Sequence, residues 1–238
     1  MKRFLLLLVV LLTAKGLLAQ DEIVVDPNAS TRNVPGDFTT IKISGGINLY
    51  LSKSADVSFA VSAAEERFKD GIKTNIENGV LKIFYDGDKS WNSKDKKLKV
   101  YVSFKTLEKI DASGACGIRV SGSIAVNSLD LLLSGACNFK GMVTVNTLKI
   151  DLKGASDVRI SGTANTVDIE SSGASDVKGY ELVTDLCNAK ASGASDINIT
   201  VNKELNAHAS GASDIYFKGT GLIKDLHSSG ASNISRKN

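Results

Sequence analysis

Four aspartates pose the first chemical question. Asp157, Asp176, Asp196 and Asp214 each stand three residues after a glycine, in the near-identical phrases KGASDV, SGASDV, SGASDI and SGASDI. Asn138 and Asn233 hold the same place in the copies on either side. Stacked carboxylates are hard oxygen ligands, so one chemistry open to them is Ca²⁺ held between neighbouring repeats. The other is structural, each carboxylate accepting hydrogen bonds from the backbone N–H groups of its turn. The nonapeptide pattern of calcium-binding β-rolls is missing, which favours the structural ladder over the cation site.

The serines beside them, Ser156, Ser175, Ser195, Ser213 and Ser232, could be nucleophiles only with a base at hand. His208 and His227 are the two histidines, each three residues before its glycine, so they read as equivalent surface positions on neighbouring repeats. Two such residues without a third ligand do not make a metal centre. The serines read instead as a hydroxyl ladder satisfying the turns. Cys116 and Cys137 fall in the serine position of consecutive copies, near enough for a disulfide in an oxidising compartment, although directly stacked parallel residues have imperfect geometry for the bond. Cys187, six residues before Gly193, reads as a small buried hydrophobe.

An enzyme of the pectin-lyase type needs carboxylates, Arg and Lys in a groove walled by long loops. No long loop lies between Gly114 and Gly230, and the pairs Asp168/Glu170 and Lys149/Asp151 read as outward strand residues, so no catalytic residue is assigned. The polar loop 86–97 holds the single tryptophan, Trp91, among Lys89, Lys94, Lys96 and Lys97. It is the one aromatic and cationic feature that could contact a ligand; otherwise it is a solvated hairpin.

The elements that position these residues are repeats. Seven copies of the phrase place Gly114, Gly135, Gly154, Gly173, Gly193, Gly211 and Gly230 at spacings of 21, 19, 19, 20, 18 and 19. Four residues after each glycine comes Ile118, Phe139, Val158, Val177, Ile197, Ile215 or Ile234, and four before it an apolar residue from Ile110 to Leu226. Polar residues alternate between them, which is the period of a strand. About nineteen residues at roughly 3.3 Å each make a path of some 60 Å, one rung of a triangular coil. Stacked rungs turn every Ile or Val column into a continuous core. The fold predicted is all-β, a right-handed parallel β-helix, with the alanine after each glycine in a tight inward corner.

The earlier part is strand-like but less regular: Phe38 to Leu51 with a break at Gly45-Gly46, then Val57–Val61, Ile72–Ile76, Val80–Tyr85 and Leu98–Phe104, with one helical turn over Ala63–Lys69. Both prolines, Pro27 and Pro35, precede Phe38. The division expected is a leader over residues 1–19, an extended lead-in over 20–37, and one β-helical domain over 38–238, irregular to 105 and repetitive from 106.

Composition agrees with a packed domain: of 238 residues 42% are hydrophobic but only 6% aromatic, so the core is aliphatic. The leader follows from a basic Met1–Arg3, an apolar Phe4–Leu12 and a small-residue exit at Ala14–Ala19, which is the grammar of a secretory signal peptide, too short to span a bilayer. Its Lys2, Arg3 and Lys15 account for the whole formal charge of +3; without them 26 basic residues face 26 acidic ones, and no argument for nucleic acid remains. The predicted location is outside the inner membrane: periplasm, outer surface or medium.

Three features in this order, the Gly46-Ile47-Asn48 triplet in an alternating first strand, the later Asn78-Gly79-Val80-Leu81-Lys82-Ile83 segment, and the chain of SGAS-D-[VI] phrases, resemble the GIN-domain family of autotransporter adhesin heads, secreted β-helical proteins common in Bacteroidetes. The resemblance runs from about Phe38 to the end. It implies a pectate-lyase-like β-helix, no recognised catalytic residues or cofactor, and a role in adhesion. The chain has no membrane-barrel segment of its own. The function expected is therefore an exported, non-enzymatic surface module binding a glycan or a protein. The alternatives are a structural envelope component and a carbohydrate-active enzyme. An uncovered end rung could also pair edge to edge with a second copy.

Overall fold

The computed structural model describes residues 26–33, 36–87 and 96–238. The expected leader, 1–19, and Trp91 lie outside the described residues, as does much of the lead-in.

Alternation of apolar and polar residues makes the strands, and their burial follows it: in Asn138–Gly154 the side chains of Phe139, Val143 and Val145 are buried while Lys140, Met142 and Thr144 are exposed. The elements in chain order are β1 (Ser30–Thr31), β2 (Thr40–Ser44), β3 (Asn48–Lys53), β4 (Ser58–Ser62), α1 (Glu66–Gly71), β5 (Ile72–Glu77), β6 (Val80–Tyr85), β7 (Lys99–Phe104) and β8 (Lys109–Gly114). Five long strands follow, each bending through most of a rung: β9 (Gly117–Gly135), β10 (Asn138–Gly154), β11 (Asp157–Ser171), β12 (Asp176–Ala191) and β13 (Asp196–Gly211). The last rung is β14 (Asp214–Lys218), β15 (Leu222–Gly230) and β16 (Asn233–Arg236).

From β9 to β13 every neighbour is parallel, and after each corner the strands are in register, Asn138 on Asp157 and Asp157 on Asp176, an offset of one repeat; bulges shift the register further along, at Lys140/Met142, Arg159/Ser161 and Gly179/Val183. The fold is the parallel β-solenoid expected. Ile110, Leu131, Ile150, Ile169, Ala189 and Ala207 form one buried column and Ile118, Phe139, Val158, Val177, Ile197 and Ile215 another. Each fully buried branched side chain contributes roughly 1.5–3 kcal/mol.

The part expected to be irregular is built into the same stack, out of chain order. β2 and β3 lie between β6 and β7 on one side and β8 and the start of β9 on the other, all parallel. Beyond β6 and β7 the pairing turns antiparallel: β5 on β6, β4 on β7, β1 on β4. This cap closes the amino-terminal end. The β5–β6 hairpin turns on Asn78 and Gly79, both at positive φ, the Asn-Gly pair that two-residue hairpins select. The helical turn lies slightly later than expected, anchored by buried Phe68.

The lead-in straps down this cap. The Asp26 carboxylate accepts from Lys99 Nζ at 3.0 Å and from Tyr101 Oη at 2.8 Å, and the Arg32 guanidinium donates to the carbonyls of Lys69 and Ile72, both at 2.6 Å. At the other end nothing comparable covers β15: Leu222, Ile223 and Leu226 are 67%, 44% and 45% exposed.

The corner differs from expectation in one respect. Ala115, Ala136, Ala155, Ala174, Ala194, Ala212 and Ala231 are exposed, not inward. The serine after the alanine is the buried one, with Ser156, Ser175, Ser195 and Ser213 all at 0% exposure. The reason is polar: carbonyls at the corner need a donor from inside, and a hydroxyl supplies it where a methyl cannot. Ser195 Oγ donates to the Ser192 and Ser171 carbonyls at 2.8 and 3.1 Å, and Ser213 repeats the pattern on Ser210 and Ala191. The alanine N–H bonds along the stack, Ala174 to the Gly154 carbonyl at 2.7 Å.

Candidate binding faces

The corner is where the sequence motifs meet. Ser44 registers with Ser113 and Asn48 with Gly117, so Ser44-Gly45-Gly46-Ile47-Asn48 is the corner of an earlier rung. Gly46 stands at the alanine position, Ile47 at the buried serine position, fully buried, and Asn48 at the head of the aspartate column. A Cβ on Gly117 would lie 2.5 Å from Asn48 Oδ1, so the missing side chain there makes room for the motif asparagine.

Below Asn48 and Gly117 the column runs Asn138, Asp157, Asp176, Asp196, Asp214, Asn233. Like charges one rung apart, about 4.8 Å, repel by roughly 1 kcal/mol per pair in water. The Asp214 carboxylate accepts from the next rung, the Asn233 N–H at 3.1 Å, and from Tyr216 Oη on its own strand at 2.7 Å. Lys178 pairs with Asp176 at 3.4 Å. Burial, with Asp176 and Asp214 on either side, pushes the Asp196 carboxyl up.

Two residues further along each rung runs a column that the sequence reading did not single out. Tyr101 and Tyr50 stack with centroids 5.0 Å apart, and in register below Tyr50 come Arg119, Lys140, Arg159, Lys178, Asn198 and Tyr216. All four cations are exposed, and Arg119, Lys140 and Arg159 have no ion-pair partner among the described residues. The signal that would have found them is the residue five after each glycine.

On the other flank of the corner, one column alternates in charge from rung to rung. Asp130 registers with Lys149 and Lys149 with Asp168; Lys190 pairs with Glu170 at 3.3 Å and Lys42 with Asp111 at 3.3 Å. A shallow groove of about 410 Å³ lies there, bordered by Asp151, Glu170, Lys190, His208 and His227. The two histidines stand on neighbouring rungs, as expected, with ring centroids 6.0 Å apart and His208 Nε2 3.1 Å from Asp225.

These geometries bear on chemistry. The hydroxyls of Ser156, Ser175, Ser195 and Ser213 are buried and committed to carbonyls, while both imidazoles stand on the outer surface, so these serines form no pair with His208 or His227. Among the described residues no three of His, Cys, Asp and Glu are grouped to hold a metal ion. Cys116 and Cys137 are buried free thiols donating to the Ser113 and Ser134 carbonyls, both at 3.3 Å, as the serines do on other rungs. Contact with Cys137, then burial, pushes the Cys116 thiol up. Cys187 is buried between Val167 and Leu205, its thiol pushed up to about 12 by burial.

The profile of the family described as "Putative auto-transporter adhesin, head GIN domain" matches residues 37–221. The chain belongs to the GIN-domain family. Its fold is similar to solved structures with related descriptions. A putative adhesin from Bacteroides fragilis superposes with a TM-score of 0.82 at 22% identity, covering 89% of this chain and 98% of that one. One from Parabacteroides merdae gives 0.70 at 18%, covering 90% and 98%. A Parabacteroides distasonis protein described as a putative lipid binding protein gives 0.66 at 19%, covering 90% and 98%. Comparison with curated proteins found no match. In this GIN domain the defining triplet is a corner turn at the head of a ladder, and among the described residues no helix is long and apolar enough to cross a membrane.

Proposed function

We infer that this GIN domain is an exported, non-catalytic binding protein of adhesin type, whose working part is the pair of flat polar faces meeting at the Gly-Ala-Ser corner. The observation that carries this reading is the uniformity of the rungs. From β9 to β13 the solenoid offers outward columns of Asp, Asn, Ser, Lys and Arg and no loop that could wall an active site, a surface suited to a glycan or a protein partner. Export rests on the leader-like residues 1–19, with periplasm, outer surface or medium as the destination. Trp91 in the polar loop is a further proposed ligand contact. The exposed Leu226 rung also leaves a strand edge to which a second copy can add, and light scattering tests that.

Affinity electrophoresis of the purified protein through gels containing a panel of polysaccharides, with released sugar assayed in parallel, tests the reading. Retardation without sugar release is expected, weakened by Trp91→Ala. Sugar release would overturn the non-catalytic assignment. Failure to bind any glycan or surface protein would favour a structural envelope role. Sequencing the amino terminus of the exported chain is expected to find a start near Gln20.

A further inference from the structure

We propose that the column formed by Tyr50, Arg119, Lys140, Arg159 and Lys178 is a binding strip for a linear anionic polysaccharide laid along the solenoid axis. This deepens the adhesin-type reading and rests on it.

Three observations point to this strip. First, the strip carries positive charge over four consecutive rungs. Other lysines have counter-charges on neighbouring rungs: Lys149 lies in register between Asp130 and Asp168, Lys190 pairs with Glu170 and Lys224 with Glu204. Here four cations follow one another, and the first two are flanked by Gly117 and Asn138, which carry no charge. Lys178 pairs with Asp176, but Arg119, Lys140 and Arg159 have no ion-pair partner among the described residues, so their mutual repulsion is relieved when a polyanion covers them.

Second, the strip has a stacking platform at one end. Tyr101 is held by its bond to Asp26, and Tyr50 stacks on it at 5.0 Å, so the ring next to Arg119 is oriented before any ligand arrives. A preformed aromatic face beside cations suits a sugar ring followed by acidic groups.

Third, the geometry is linear and unobstructed. The cations span about 14 Å at roughly 4.8 Å per rung, a step close to the length of one sugar residue, and the neighbouring alanines are exposed and small. The adjacent Asp157 and Asp176 select among polyanions. They accept hydrogen bonds from hydroxyls but repel a continuous phosphodiester chain, which favours a polymer with widely spaced carboxylates and many hydroxyls over nucleic acid.

The test uses the full chain and polygalacturonate as probe, with dextran as neutral control and single-stranded DNA and phosphatidylserine vesicles as competing polyanions. Expected is binding to polygalacturonate that weakens with salt. The variant Arg119→Gln/Lys140→Gln/Arg159→Gln should lose affinity by on the order of tenfold or more. Lys73→Gln/Lys105→Gln/Lys203→Gln removes the same charge from exposed positions elsewhere and should change it less than about twofold, since screening limits distant charges. Tyr50→Ala should weaken the remaining affinity several-fold. Equal loss in the two triple variants, or stronger binding to DNA or vesicles than to polygalacturonate, would overturn the proposal. Binding of dextran or a protein without any binding of polygalacturonate would also overturn it and leave the adhesin-type reading standing. Failure with every glycan and surface protein removes both.

Discussion

Asp26 shows how a single side chain ties one end of this molecule together. Burial raises its carboxyl, but hydrogen bonds from Lys99, Tyr101 and the Asn28 N–H outweigh that and hold it at about 2. A carboxyl whose folded value is depressed stabilises above its unfolded value and loses that contribution as pH falls. Here the window runs from about pH 4 down to about 2, and the contribution at neutral pH is roughly 2 kcal/mol. Asp26→Asn should therefore lower the melting temperature at pH 7 and flatten the acid limb of the stability profile, both readable by calorimetry. Asp196 has the opposite sign. Its raised carboxyl costs stability above its folded value and is relieved by protonation, so Asp196→Asn should raise the melting temperature at pH 7 while keeping an oxygen for the Asp214 N–H. The buried hydroxyl ladder is the third case. Ser195→Ala takes the hydroxyl donor from the Ser192 carbonyl, while the Ser171 carbonyl keeps the Ser192 N–H, and should cost about 1–3 kcal/mol. Cys116→Ser/Cys137→Ser should be nearly neutral, since serine fills that place on five other rungs. A thiol titration of the unfolded wild type tests whether Cys116 and Cys137 stay free, as expected here: three thiols if they do, one if they have bonded.

At the scale of the element, the corner is the unit that can fail. Each corner glycine from Gly114 to Gly230 has positive φ, and at Gly154 an added Cβ would meet the Gly135 carbonyl oxygen at 2.5 Å. Gly154→Ala combines backbone strain with a clash against backbone, so it should destabilise by roughly 3 kcal/mol or more. Denaturant melts of this variant beside Gly46→Ala separate the two causes. Gly46 has the same sign of φ but open space around it, so its cost should be the strain alone, about 1 kcal/mol. A smaller loss at Gly154 than at Gly46 would contradict this account of the corner.

At the scale of the whole molecule, the two ends differ. The cap of β1, β4 and β5 covers the amino-terminal rung, while β15 is exposed along its length. A solenoid's stability is close to a sum over neighbouring rungs, so opening should start where a rung has one neighbour. Hydrogen exchange is expected to be fastest among strand amides at 222–236 and slowest from β10 to β12; protection as high in β15 as in β11 would refute this.

Repetition and alternation in the sequence were enough to determine the β-solenoid, its rung length, the residues of its core and the stacking of the aspartates and histidines, because in-register parallel strands put equal offsets from each glycine at equal places. Three things were decided only in three dimensions. The first is that β2 stacks between β6 and β8, and β3 between β7 and β9, and not beside their chain neighbours: pairing partners distant in sequence leave no local periodicity to read. The second is that the corner alanine faces out and the serine in, which depends on where unpaired carbonyls point once the rungs are stacked. The third is the strip from Tyr50 to Lys178. Its cations are scattered singly along the chain, each an ordinary surface residue, and only stacking brings them to one rung spacing and sets them apart from the columns where charge alternates.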